Sequence, residues 1–230
     1  MKGAVLSWLL IVLVFSANAQ TLVTLHGQIV GYKNSTVYLY SARGLRQPAQ
    51  LVDSVKLTSE FFTFKITTQE PKGYYLSLNE LAGQLYFIWD KNIVVVINPD
   101  NIEKSEIEGS PTTESWRSFV ENVEGPYEQK LKENRKDLYA AQAQKDTAQV
   151  MRLSQEGYNL FINHQGAIAE YIQTHHDSWI GLYMLASFFK DLGQSAAQKM
   201  LASLSPALQQ SELGRQIKTI LTKPEYPLRP

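Results

Sequence analysis

Three adjacent side chains able to ligate a metal ion, His175, His176 and Asp177, form the densest chemical cluster in this chain. Consecutive residues rarely all aim at one ion, and a zinc site usually needs four ligands. His26 and His164 are the only other imidazoles. The expected role is therefore a polar loop between helices, in which the histidines face a helix C-terminus and Asp177 or Ser178 caps the next helix. His164 falls inside an apolar stripe at helical spacing, which predicts a hydrogen-bonded core or half-buried imidazole and not a general base. Asp53-Ser54 could present a nucleophilic hydroxyl, yet it lacks a G-x-S-x-G context and any histidine partner visible in the sequence. Satisfying backbone groups at a strand bend is its expected use. No G-x-G-x-x-G, G-K-S/T or H-E-x-x-H motif occurs. The aromatics Tyr38, Tyr40, Phe61, Phe62, Phe64, Tyr74, Tyr75, Tyr86, Phe87 and Trp89 could line a ligand groove. Strand alternation sends about half of them into a core and leaves the others as candidates for a binding surface. These readings assign no catalytic residue, no cofactor-binding residue and no metal ligand.

Composition narrows the chemistry further. The chain has no cysteine, which removes thiol redox chemistry, thioester intermediates and thiolate-held metals, and leaves the fold to rest on packing without disulfides. Lys plus Arg and Asp plus Glu number 22 each, so there is no electrostatic case for nucleic acid, which requires clustered basic residues. Lys2, the apolar run Ala4 to Phe15 and the small-residue triplet Ala17-Asn18-Ala19 follow one another in the order of a secretory signal peptide. An apolar run of 12 residues is short of the roughly 20 needed to span a bilayer as a helix. Residues 1–19 are therefore expected to be cleaved after Ala19, placing the protein in the periplasm or outside the cell. No later stretch is apolar enough to be a membrane span.

The elements that must position these residues change character near Gly109. Before it, strand periodicity predicts eight strands: Thr21–Gly31, Thr36–Ala42, Leu51–Leu57, Phe61–Thr67, Tyr74–Leu78, Gln84–Trp89, Ile93–Ile97 and Ile102–Glu108. Thr58-Ser59-Glu60 and Asp90-Lys91-Asn92 suit hairpin loops. After it, Ser110-Pro111 reads as an N-cap with proline at the first helical position. Trp116, Phe119, Val120 and Val123 form one stripe, and Gly125-Pro126 is expected to break or kink that helix. A long helix over Ala148 to Gln173 follows, then the stripe Leu182/Leu185/Ala186/Phe189, stopped by Gly193. Ser195 with Gln198 reads as a capping box for a helix carrying Met200, Leu201 and Leu204. Leu213, Ile217, Ile220 and Leu221 mark the last helix, ended by Pro224. The predicted fold class is α+β: an antiparallel β-sandwich or partly open barrel over residues 20–109, a helical bundle packed on it over 110–222, and a tail over 223–230.

Leu51-Val52-Asp53-Ser54, Leu57 and Phe62-Thr63-Phe64 resemble the "L-D-S-x-x-V-x-x-G-K-F-x-F" core of the family called domain of unknown function 4369. Pro71, Tyr75 and Leu78 resemble its "P-x-x-Y-x-L" stretch, and Ile107-Glu108-Gly109-Ser110 its "I-x-G-S" junction. The likeness continues through Phe161–Ile172, His175–Ser178, Leu182–Leu185 and Leu204-Ser205-Pro206 to about residue 222. Glu60 stands where the family has a hairpin glycine, and His175-His176 where it has a loop proline. The resemblance implies an accessory domain that usually precedes a thioredoxin-like, thiol-disulfide oxidoreductase domain in exported bacterial proteins. In the long relatives, a segment like Pro224–Pro230 is where that domain begins, with its W-C-x-x-C site. The expectation is thus a non-catalytic, exported binding or interaction module without a cofactor. The alternative is an accessory subunit acting in trans with a separate thioredoxin-like oxidoreductase as its partner.

Overall fold

The computed structural model describes residues 21–32, 34–42 and 48–223. Residues 1–19, read above as a signal peptide, and Pro224 lie outside the described residues. Eight strands form two open four-stranded sheets: β1 (Thr21–Gln28), β2 (Thr36–Ser41), β3 (Gln50–Lys56), β4 (Phe61–Thr68), β5 (Lys72–Leu78), β6 (Leu85–Trp89), β7 (Ile93–Val96) and β8 (Glu106–Glu108). The first sheet runs β4-β1-β7-β8 and the second β3-β2-β5-β6. Alternation builds the interior. Val23, Leu25, Phe62, Phe64, Ile93 and Val95 from the first sheet meet Val37, Leu39, Leu76, Leu85, Phe87 and Trp89 from the second in one continuous core. Gly27 is required here, because a Cβ at that position would lie 2.0 Å from the Phe62 ring that covers it.

Three expectations about the sheets are corrected. Thr58-Ser59-Glu60 and Asp90-Lys91-Asn92 are not hairpin loops. β3 and β4 belong to different sheets, as do β6 and β7, so each linker carries the chain across a corner of the sandwich. The corner is held by Ile29 N–H donating to Glu60 O, and by Asn34 N–H donating to Leu57 O. The sandwich is not wholly antiparallel either, since β1 and β7 pair in parallel, Leu25 opposite Ile93. Finally, Ile102–Lys104 is a 3-10 turn and only Glu106–Glu108 is strand. There Asn101 accepts the Glu103 N–H, and Ser105 donates to Ile102 O, so the local polar side chains satisfy a turn in place of a ladder.

The helices are α1 (Pro111–Phe119), α2 (Gly125–Ala143), α3 (Thr147–Thr174), α4 (Trp179–Leu192), α5 (Gln194–Ser203), α6 (Pro206–Gln210) and α7 (Glu212–Leu221). Gly125-Pro126 does not break the first helix. A π-turn over Val120–Glu124 carries it into α2. The extra residue per turn leaves room for Pro126 near the start of α2, where its missing N–H costs least. The Ser195/Gln198 capping box does not form: α5 starts at Gln194 on Gly193, and Gln198 Nε2 donates instead to Leu221 O at 2.8 Å. Leu182, Leu185, Met184, Ile168, Ile172 and Ile217 centre a second core. α2 and α3 form a long antiparallel hairpin, capped at Asp146, whose Oδ1 accepts the Gln149 N–H.

The two layers are locked at one strand edge. β6 is an edge strand, and edge strands leave backbone groups without partners. Here α1 supplies them. Thr113 Oγ1 accepts the Ile88 N–H at 2.9 Å, and Ser110 Oγ donates to Ile88 O at 2.7 Å. The same Ser110 oxygen caps α1 by accepting the Thr113 N–H at 3.1 Å, as its sequence position predicts. Both side chains are buried. Thr112 adds a bond to Asp90 Oδ2 at 2.7 Å, and Arg117 donates to Ser105 O at 2.6 Å.

Candidate functional site

The outer face of the second sheet carries tyrosines in register: Tyr40 opposite Tyr75, and Tyr75 opposite Tyr86. Of the ten aromatics singled out above, Phe62, Phe64, Tyr74, Phe87 and Trp89 are core. Tyr38, Tyr40, Phe61, Tyr75 and Tyr86 point outward, so the half-and-half division holds. Helices cover only part of the outer face. Between the uncovered part and the helices lies a cleft of about 770 Å³.

Its floor is Tyr75 and Tyr86, with ring centroids 5.1 Å apart. Trp116 of α1 stands edge-on to Tyr86 at 5.8 Å. Gly73 lies beneath the Tyr86 ring, where a Cβ would approach the phenol oxygen to 2.9 Å. Tyr183 and Ser187 of α4 and Glu212, Leu213 and Gln216 of α7 form the far wall, and Ser41 and Gln50 form the near rim. The wall is tied to the floor. Tyr183 Oη donates to Pro71 O at 3.0 Å, Lys72 Nζ pairs with Glu212 Oε2 at 2.7 Å, and Glu70 Oε2 accepts the Glu212 N–H at 2.9 Å. This last contact sets a carboxylate at the positive end of α7. The Lys72–Glu212 pair is about half exposed and contributes little stability by itself.

Burial is the main cause that raises the Tyr183 phenol well above its ordinary pKa. Tyr86, Tyr74 and Glu70 add to the effect, and the Gly73 backbone amide opposes it. Burial also raises Tyr86, with Tyr75 contributing. Both phenols therefore stay neutral and offer hydrogen bonds without charge.

The residues highlighted from sequence lie elsewhere. His175 Nδ1 is 2.9 Å from Tyr171 O and His176 Nδ1 is 3.0 Å from Gln173 O, so both histidines face the carbonyls ending α3, as expected. Ser178 occupies the N-cap position of α4 but makes no capping bond; its hydroxyl donates to His175 O at 3.0 Å. Among the described residues no group of three His, Asp or Glu gathers into a metal-holding cluster. His164 is buried, as expected: Nε2 lies 2.5 Å from Glu124 Oε1, and the ring stacks on Tyr127 at 3.8 Å. His26 sits on the exposed face of the first sheet beside Thr63. Asp53 Oδ1 accepts the Ser54 N–H at 2.7 Å, beside a register shift at Leu39/Tyr40, which is the backbone role predicted for it. Sequence reasoning missed Lys72, Glu70, Tyr183, Glu212 and Gln216. The one signal for them was Tyr183, an aromatic standing just off the apolar stripe of α4.

The fold and its cleft define an α+β protein in which a two-sheet sandwich is fastened by one strand edge to a helical layer. Residues 23–116 match the family described as domain of unknown function (DUF4369), and this part of the chain belongs to that family. The match takes in the sandwich, the Ser110–Thr113 lock and the cleft floor, and it stops at Trp116 in α1. No curated protein matches the chain.

Proposed function

We propose that this chain is an exported, non-catalytic binding module whose ligand seat is the cleft between the second sheet and α4/α7. The carrying observation is the cleft itself: four aromatic side chains, Tyr75, Tyr86, Trp116 and Tyr183, meet hydroxyl and amide groups in one concavity. A concave site with convergent polar groups is where small ligands bind. The non-catalytic reading is supported by how the titratable groups are spent. Lys72 and Glu212 hold each other, Glu70 holds a helix terminus, and Tyr183 holds Pro71 O. The imidazoles lie away from the cleft, in the α3–α4 loop, against Glu124 and on the first sheet. Thermal-shift screening of the purified chain against a small-molecule library tests the proposal. A hit should stabilise the wild type and lose its effect in Tyr75→Ala. Stabilisation that survives this substitution places the seat elsewhere.

A second reading, an accessory subunit working in trans with a thioredoxin-like oxidoreductase, is favoured by one observation. Met151, Tyr158 and Ile162 recur on one side of α3 and are exposed, an apolar stripe of the kind that marks protein contacts. Pull-down with the wild type and with a Met151→Glu/Tyr158→Glu variant checks it. Capture of a W-C-x-x-C protein by the first only would favour the subunit reading.

A further inference from the structure

The composition of the cleft narrows what it would hold; this inference rests on the cleft being the ligand seat. Among its described residues the charged groups are Glu70, Lys72 and Glu212, and all three are engaged with one another or with a helix N-terminus. A charged ligand would have to compete with those contacts, of which the half-exposed Lys72–Glu212 pair would yield most readily, so a uronate trimer is one arm of the test. The floor offers no row of free backbone groups either. β5 lies between β2 and β6, and at Ile88 the outer edge of β6 is taken by Ser110 and Thr113. An extended peptide therefore finds no free backbone pair at Ile88 on the β6 edge, and β3, the other edge of this sheet, reaches the cleft only at Gln50, which leaves little for strand addition there.

What remains is side chains of two kinds. Tyr75, Tyr86 and Trp116 present ring surface at inclined angles, and the negative face of an aromatic ring attracts weakly positive C–H groups. Gln50, Gln216 and Ser41 can each donate and accept hydrogen bonds, and Ser187, whose hydroxyl donates to Tyr183 O at 3.0 Å, offers an acceptor. A sugar ring has the complementary pattern: one face of axial C–H groups, and a rim of hydroxyls that each donate and accept. The cleft volume of about 770 Å³ lies in the upper part of the range for ligand pockets, about 300–1,000 Å³, and exceeds the needs of a monosaccharide.

We propose that the cleft binds a short, uncharged oligosaccharide, its C–H faces on Tyr75, Tyr86 and Trp116 and its hydroxyls on Gln50, Gln216 and Ser187. The purified full chain is titrated calorimetrically with maltotriose, cellotriose, mannotriose and chitotriose. A trimer of galacturonate and a mixed tripeptide library form parallel arms. At least one neutral trisaccharide should bind, and Tyr75→Ala and Gln216→Ala should each weaken it about tenfold, with unchanged circular dichroism and melting temperature showing that both variants fold. Should Tyr75→Ala misfold, Tyr75→Leu replaces it, keeping bulk without the ring. Binding of only the uronate or a peptide, lost in the same variants, would keep the cleft as ligand seat and overturn the saccharide assignment. Binding of none of the probes, or binding indifferent to both variants, would overturn the assignment outright.

Discussion

Thr113→Val is the sharpest test of how the two layers are joined. Valine has nearly the shape of threonine, so the substitution leaves no cavity; it deletes only the hydroxyl, which accepts the Ile88 N–H at 2.9 Å, donates to Ile88 O at 3.0 Å and pairs with Ser110 Oγ at 2.9 Å. Thr113 and Ile88 are almost fully buried, at 1% and 0% exposure, so water cannot replace the lost partner. Ser110 Oγ still donates to Ile88 O, which confines the damage to one orphaned N–H. Stranding a buried donor costs about 1–3 kcal/mol. At about 2 kcal/mol, and with roughly 2–4 °C per kcal/mol for a chain of this size, the melting temperature should fall by roughly 4–8 °C. Urea titration followed by tryptophan fluorescence and by far-ultraviolet circular dichroism is the assay. In residues 20–230 with Trp116 and Trp179 of the helices replaced by phenylalanine, Trp89 reports from the sandwich, while the ellipticity comes mostly from the helices. Both signals should shift together with an unchanged slope, because the layers unfold as one unit. Amide exchange at Ile88 should accelerate. A shift under 1 °C, or a helical transition that separates from an unmoved sandwich signal, would refute the argument that this edge couples the two halves.

Gly27→Ala should destabilise by about 1–3 kcal/mol in chemical denaturation, because the new methyl collides with the Phe62 ring in a close-packed core. Tyr183→Phe loses the bond to Pro71 O and should cost about 1 kcal/mol at neutral pH. Its effect in alkali has the opposite sense. A phenol whose folded pKa is raised stabilises the fold fully below the ordinary tyrosine pKa of about 10, and that stability drains as pH climbs toward the folded value. The variant should therefore lose stability less steeply than wild type above that pH, as measured by urea midpoints across an alkaline series. Mass spectrometry of the exported protein should find Gln20, cyclised or not, at its N-terminus; an intact Met1 would contradict cleavage after Ala19.

Strand and helix positions were readable where periodicity is strong. Phe61 to Ile66 alternates outward and inward as its residues predict, and the α4 stripe Leu182/Leu185/Phe189 is buried as drawn. Sheet membership was not readable. Thr58-Ser59-Glu60 has the length and composition of a hairpin loop, and only the two edges it connects reveal that it turns a corner. The π-turn at Val120–Glu124 was hidden for a related reason: Gly125-Pro126 is a strong local break signal, and the helix passes it by changing its winding. The Ser195/Gln198 pattern met its local rule and lost to a tertiary one, since Gln194 and Gln198 both reach Leu221 O. The cleft was legible only in its floor. Tyr75 and Tyr86 follow from strand alternation, whereas Lys72 meets Glu212 across 140 positions of sequence, and nothing local marks either residue as a partner.

The place of β1 has a consequence for how the chain reaches this structure. The first strand among the described residues is an inner strand, bordered by β4 on one side and β7 on the other, with Leu25 opposite both Phe64 and Ile93. Its parallel neighbour is made some 70 residues after it, so loop closure must be completed before that edge is rewarded. During vectorial synthesis β1 therefore carries Val23 and Leu25 uncovered for most of the sandwich's length. A nascent chain halted before Ile93 holds an open apolar ladder edge, the condition under which intermediates aggregate. The β1–β7 edge thus cannot close until Ile93–Val96 is in place, and residues 21–28 are the segment left waiting for it.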